Sequence, residues 1–274
     1  GGCVVQGDAI QLGNPSTVVR GGAGTAAGAG MTATIHAAPT GPGGRAKEDA
    51  ATLVPGRANS DSGGTRVSGG VLQIAADANL GAAAGALSLD GGTLRVTGDT
   101  TSARAVTLGK AGGAFDVDAA RTVALTGALT GTGALRKAGA GTLQLSGANG
   151  YTGGTDVAAG ALEALASGAL GTGPVSVAGK ASLAFGNTAD AGKLAITAHS
   201  GAVVAFRDAS SGGNATVVNN AGAQLRIDGL SAAGTSIGSL EGAGQVLLGA
   251  KALTVGGLGG NATLSGAIGG TGGS

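Results

Sequence analysis

A few side chains in this 274-residue sequence have a type and spacing that could support chemistry. Asp116 and Asp118, in the run FDVD, project from the same side of a strand. Paired carboxylates can hold a cation or divide acid and base roles, as in sugar-cleaving enzymes. No aromatic or basic sugar-binding partner lies beside them in sequence, so a solvated strand face is expected. GTSIG at 234–238 matches the G-x-S-x-G string around Ser236. That string works only at a strand-to-helix turn with a His and an acid partner, and SLEGAGQVLL continues here as strand. In a glycine-rich chain the match arises by chance. His36 and His199 are the only histidines, and catalytic zinc normally needs three protein ligands. His36 is expected to face solvent and His199, before Ser200-Gly201, to sit in a turn. Tyr151 sits in the glycine-rich turn of the motif and reads as a cap of the coil rather than a ligand-binding residue. Cys3 is the single cysteine and has no internal disulfide partner. No catalytic residue, cofactor or metal is therefore expected.

The elements that carry these residues are short. The chain has 60 Gly, one Tyr, three Phe and no Trp, so no aromatic-filled globular core is available. Such glycine content fits either a flexible polymer or a fold that turns very often. Runs such as LSL, LRV, VTL, LQL, VSV, LRI and LTV decide for the second, because they alternate apolar and small or polar residues with period two. A net charge of +1 with no run of like charge argues against nucleic acid as a partner. Near-absence of cysteine fits a chain that crosses a membrane unfolded, and a cytosolic protein would look the same. No stretch of about 20 apolar residues reads as a membrane helix.

One segment occurs twice. Residues 131–164 read GTGALRKAGAGTLQLSGANGYTGGTDVAAGALEA, and residues 41–74 align to them without a gap at an offset of 90. Gly41, Gly43, Lys47, Ala50, Thr52, Leu53, Ala58, Asn59, Gly63, Gly64, Thr65, Val67, Gly70 and Leu72 recur as the same residue. A lead-in element occurs three times, at 32–44, 122–134 and 261–273. Such repetition signals a solenoid. Strand cores at Leu143, Leu162, Leu183, Phe206, Leu225 and Val246 are spaced by 19, 21, 23, 19 and 21 residues. That spacing suits three strands per coil in a parallel β-helix of about 20 residues per coil. Successive coils stack about 4.8 Å apart, so roughly 12 coils give a rod about 60 Å long. The rival fold is an antiparallel β-sandwich, which needs hairpin turns every 8–12 residues or so.

The string GAGTLQLSGANGYTGGTDVAAGAL (139–162), preceded by LTGTGALRK, resembles the passenger-associated transport repeat of bacterial autotransporters. The repeat residues are Gly139, Gly141, Thr142, Leu143, Leu145, Gly147, Asn149, Tyr151, Gly153, Gly154, Thr155, Val157, Gly160 and Leu162. Residues 237–257 and 76–96 resemble the segments that lead into and follow that repeat. The resemblance implies a right-handed parallel β-helix, the passenger of a type V secretion system at the Gram-negative cell surface or outer membrane, or secreted from it. It implies a C-terminal translocator β-barrel of the same full-length chain as partner. The expected function is a stalk that supports secretion, folding and display, with an adhesin surface binding a host or bacterial ligand as the alternative. A polysaccharide-active β-helix enzyme ranks third. With no initiator Met, and with the third lead-in element running to Ser274, the chain is expected to be a piece of a longer protein.

The first copy departs from the second. EDAA (48–51) replaces AGAG, PGRANSDS (55–62) replaces LSGANGYT, Arg57 replaces Gly147 and Asp61 replaces Tyr151. Pro55 removes a ladder donor. The coil around 45–62 is expected to be irregular, with residues 1–66 degenerate and 67–274 regular. No strand is expected over 21–30, and 41–66 offers the best candidate for a binding loop.

Overall fold

The period-two runs become strands with one side turned inward. In Thr142–Leu145, Leu143 and Leu145 are buried while Thr142 and Gln144 are half-buried. A computed structural model describes residues 2–7, 9–13, 16–20, 28, 30–259 and 261–270. The expectation for 21–30 falls outside these residues, save Gly28 and Gly30.

Every pairing among the described strands is parallel. The chain is a parallel β-solenoid of about 11 turns with about 21 residues per coil, and the β-sandwich is excluded. At about 4.8 Å per coil it is a rod about 50 Å long.

Three faces line the coil. Face 1 is a continuous 12-stranded sheet running from Gly2–Val5 to Ser239–Glu241. Face 2 holds a two-stranded sheet of Ala9–Gln11 and Ala38–Thr40. After an interruption it resumes as a nine-stranded sheet starting at Thr100–Ser102. Face 3 is a six-stranded sheet from Ser16–Val19 to Leu129–Gly131, resumed later by Gly234–Ile237 and Ala252–Val255.

The interior is a set of ladders. On face 2, Leu143, Leu162, Leu183, Val204, Leu225 and Val246 stand in register. The expected member Phe206 belongs instead to the next inward row, where its ring stacks on Phe185 with centroids 4.8 Å apart. Replacing Phe206 by Val204 makes the coil lengths more even than the raw spacing implied. Both inward rows are apolar, so the sequence pattern cannot separate them.

Candidate functional site

The duplicated segment is built twice with the same strands. Thr52–Pro55, Thr65–Val67 and Val71–Ile74 recur as Thr142–Leu145, Thr155–Val157 and Ala161–Ala164. The faces differ, however. The first copy's strands alternate between faces 1 and 3, and the second copy's between faces 2 and 1. From Gly44–Lys47, four coil steps lead along face 3 to Leu129–Gly131, and the following strand Leu135–Ala138 lies on face 1. The copies are thus separated by four coils and one face.

Each copy's asparagine loop interrupts a sheet. In the second copy, 146–154 ends the six-stranded sheet. The Gly150 and Thr152 amides donate to the carbonyls of Leu129 and Gly131, at 2.8 and 3.0 Å. In the first copy the Ser60 and Ser62 amides do the same to Pro39 and Gly41, both at 3.0 Å.

Side chains of the second copy tie three successive coils together. Asn149 is buried; its Oδ1 accepts from the Leu129 amide at 2.8 Å and its Nδ2 donates to the Ala169 carbonyl at 2.6 Å. Tyr151 is fully buried and its hydroxyl pairs with Thr155 Oγ1 at 2.6 Å. It fills the core rather than capping the coil, and burial pushes its phenol well above the usual range.

Lys137 stands in an apolar ladder between Phe115 and Val157, fully buried. Its Nζ donates to the carbonyls of Ala138, Gly139 and Ala159, at 2.7, 2.8 and 3.1 Å. Burial lowers its ammonium to about 8, against a smaller opposing pull from Asp116. Its recurrence as Lys47 was the one sequence signal that could have marked it.

All six motif glycines are sterically required, because a Cβ at any of them would come closer than 3.0 Å to the backbone of another coil. Gly160 has φ +65°, and a Cβ there would lie 2.4 Å from the Gly141 carbonyl oxygen. Gly153 packs so closely on the coil below that a Cβ would lie 2.3 Å from the Gly133 carbonyl carbon. Gly139 and Gly141 form the corner before Thr142, Gly147 begins the asparagine loop, and Gly154 precedes Thr155. Leu143, Leu145, Val157 and Leu162 are core residues.

The first copy forms its strands with different interior chemistry. Arg45 and Asp61 occupy the places that Leu135 and Tyr151 fill later, and both are buried. Arg45 Nε donates to Asp61 Oδ2 at 3.1 Å, and Nη2 donates to Thr65 Oγ1 and to the Asn79 carbonyl. Thr65 thus serves the arginine as Thr155 serves Tyr151. Lys47 pairs with Asp49 and donates to the Gly69 carbonyl. Pro55 stands opposite Ile35, but toward Val71–Ile74 the paired register covers Thr52 and Leu53. The missing proline donor accounts for that shortening.

The other candidates do not assemble. Arg95 donates to Asp118 at 2.9 Å and stands in register with Asp116, so a basic partner does lie beside the two carboxylates, contrary to expectation. A coil of about 21 residues brings such distant positions side by side. Ser236 lies in the strand Gly234–Ile237, donates to the Gly213 carbonyl, and is followed by the strand Ser239–Glu241. His36 and His199 are exposed on separate coils, with His199 3.2 Å from Ser176 Oγ. Among the described residues, no group of three or more His, Cys, Asp or Glu is placed to hold a metal ion.

Fold and site together define a parallel β-solenoid punctuated by a coil-tying repeat. The passenger-associated-transport-repeat model matches residues 47–74 and 135–164. The chain is 44% identical over 172 residues to the adhesin BmaC autotransporter of Brucella suis biovar 1 (strain 1330), a match covering 62% of this chain. The chain spans about 5% of that relative's length. No solved structure matches. Two transport repeats on a parallel β-solenoid are what this chain shares with bacterial autotransporters, and the likeness supports a passenger segment at the Gram-negative cell surface or outer membrane.

Proposed function

We propose that this segment is a non-enzymatic β-helical stalk that supports folding of the passenger outside the cell and displays it at the surface. The observation that carries the reading is that repeat side chains bond to neighbouring coils on both sides. Asn149 reaches Leu129 behind it and Ala169 ahead; Lys137 joins its own corner to Ala159. A solenoid grows by adding coils to a formed end, so tied coils provide a base on which the next can settle. Growth on the outer side would draw the chain forward without a nucleotide cofactor. The partner in this reading is a C-terminal translocator β-barrel of the same full-length protein. In this reading the stalk divides near residue 66, after the coils that bury the Arg45–Asp61 and Lys47–Asp49 pairs, although a further pair with a buried arginine, Arg104–Asp77, lies beyond that point.

The test is surface display of the full-length protein carrying Asn149→Ala with Lys137→Met. Slower appearance of protease-resistant passenger at the surface supports the reading. Unchanged kinetics of display would sink it.

The relative is named an adhesin, which favours a second reading in which the outer faces also engage a host or bacterial ligand. The exposed cross-coil ion pairs Arg66–Asp90, Arg95–Asp118 and Arg136–Asp156 would form part of that surface.

A further inference from the structure

The repeat contains the only Asn-Gly step in the sequence, Asn149-Gly150. An asparagine before glycine is chemically labile in a mobile chain. The backbone nitrogen of Gly150 attacks Cγ of Asn149, the Cγ–Nδ2 bond breaks, and ammonia leaves. The resulting five-membered imide takes up water at either carbonyl, giving aspartate or isoaspartate at 149. No oxidant or reductant takes part. Glycine favours the reaction because it has no side chain to hinder the attacking nitrogen.

Each participant is held out of the reaction in the folded coil. The attacking Gly150 N–H is committed to the Leu129 carbonyl at 2.8 Å. The electrophilic amide is held from both sides, by the Leu129 amide on Oδ1 and by the Ala169 carbonyl on Nδ2. Its relative exposure is 8%. Cγ cannot swing toward its own chain without breaking bonds to the coils on either side.

The products do not fit the site. Aspartate at 149 has no N–H for the Ala169 carbonyl and buries a carboxylate beside it. Isoaspartate lengthens the main chain by one bond inside the loop, between Cα of residue 149 and the Gly150 nitrogen, two residues before the buried Tyr151.

We infer that Asn149-Gly150 is a spontaneous modification site, open while the chain is unfolded and closed once the coils on both sides are in place. Time spent unfolded exposes to this loss the residue that must later tie the coils. The chemical claim is independent of the proposed function; its consequence for secretion rests on that reading.

The 274-residue chain is incubated folded and in urea at pH 8, and the tryptic peptide ending at Lys180 is followed by mass spectrometry. Conversion at Asn149 is expected in urea and at least ~10-fold slower in the folded chain, since it requires local opening. Gly150→Ala should be slow in both states. It should also fold normally, because a Cβ at Gly150 meets nothing within 4 Å. Asn149→Asp, which fixes one product, should refold with reduced yield. Equal rates in the folded and unfolded chain, or full refolding of Asn149→Asp, would overturn the inference. If protection holds but Asn149→Ala with Lys137→Met leaves display unchanged, the proposed function fails and the modification site stands.

Discussion

The amide of Leu129 donates to Oδ1 of Asn149 at 2.8 Å; one repeat earlier Pro39 stands in Leu129's place, and Asn59 Oδ1 is buried without a hydrogen-bond partner. Proline has no N–H to give. Asn59 keeps its other bond, Nδ2 to the Asn79 carbonyl at 2.6 Å.

Asn149→Ala should therefore cost more than Asn59→Ala. The first loses two bonds and orphans a buried amide, roughly 2–3 kcal/mol; the second loses one bond and removes an unpaired oxygen, under about 1 kcal/mol. Hydrogen exchange at the neighbouring amides measures each locally, which suits a solenoid that need not unfold as one unit. Equal costs would contradict the assignment.

Arg45 and Asp61 form a buried ion pair where Leu135 and Tyr151 pack later. Removing one partner, as in Asp61→Ala, should cost about 3–5 kcal/mol, because the other charge stays buried alone. The double change Arg45→Leu with Asp61→Tyr should be near neutral or stabilising. Thr65 remains to bond the new hydroxyl, and Asn59 still donates to the Asn79 carbonyl. A double variant as unstable as the single would show that the copies are not interchangeable inside.

Lys137 gives the chain an unusual alkaline response. Burial lowers its ammonium from the ordinary 10.5 to about 8. Between those values the unfolded chain holds the proton and the folded chain does not, so stability rises with pH across that window and levels off above 10.5. The gain is on the order of 3 kcal/mol. The difference in urea midpoint between wild type and Lys137→Met, followed from pH 7 to about 11, isolates it from other groups. Lys137→Met should abolish the rise and lower stability at every pH, since three carbonyls lose their donor. A wild type that weakens relative to Lys137→Met above pH 8 would refute the assignment.

Gly160→Ala and Gly150→Ala should separate cleanly. The first forces a side chain into φ +65° and against the Gly141 carbonyl, costing about 1–3 kcal/mol. The second enters open space and should change stability by no more than about 0.5 kcal/mol. Thermal unfolding of the two variants compares them directly.

The coil was legible in the sequence because one inward leucine per coil and the glycine corners share a single spacing. The ties between coils were not. Lys137 and Arg45 sit at inward places, but a charged residue in an alternating run reads as outward; what turns them in is a ring of carbonyls or a buried aspartate on another coil. Arg95 lies 23 residues before Asp118, and the two become neighbours only once the chain is coiled. Tyr151 looked like a turn residue because its loop is rich in glycine, yet the loop folds its ring into the core. Asn149 was named as a motif residue, and its two bonds became visible only with the coils on both sides.

The four coils and one face between the two repeats make direction a function of chain length. Each face takes about a third of a coil of about 21 residues. An inserted or deleted strand with its corner would leave the stacking intact and swing everything beyond it to the neighbouring side. A whole coil more or less would lengthen or shorten the rod and leave its aim unchanged. Gain or loss of short segments can thus rotate a surface toward or away from what it meets, without redesigning a single contact on it.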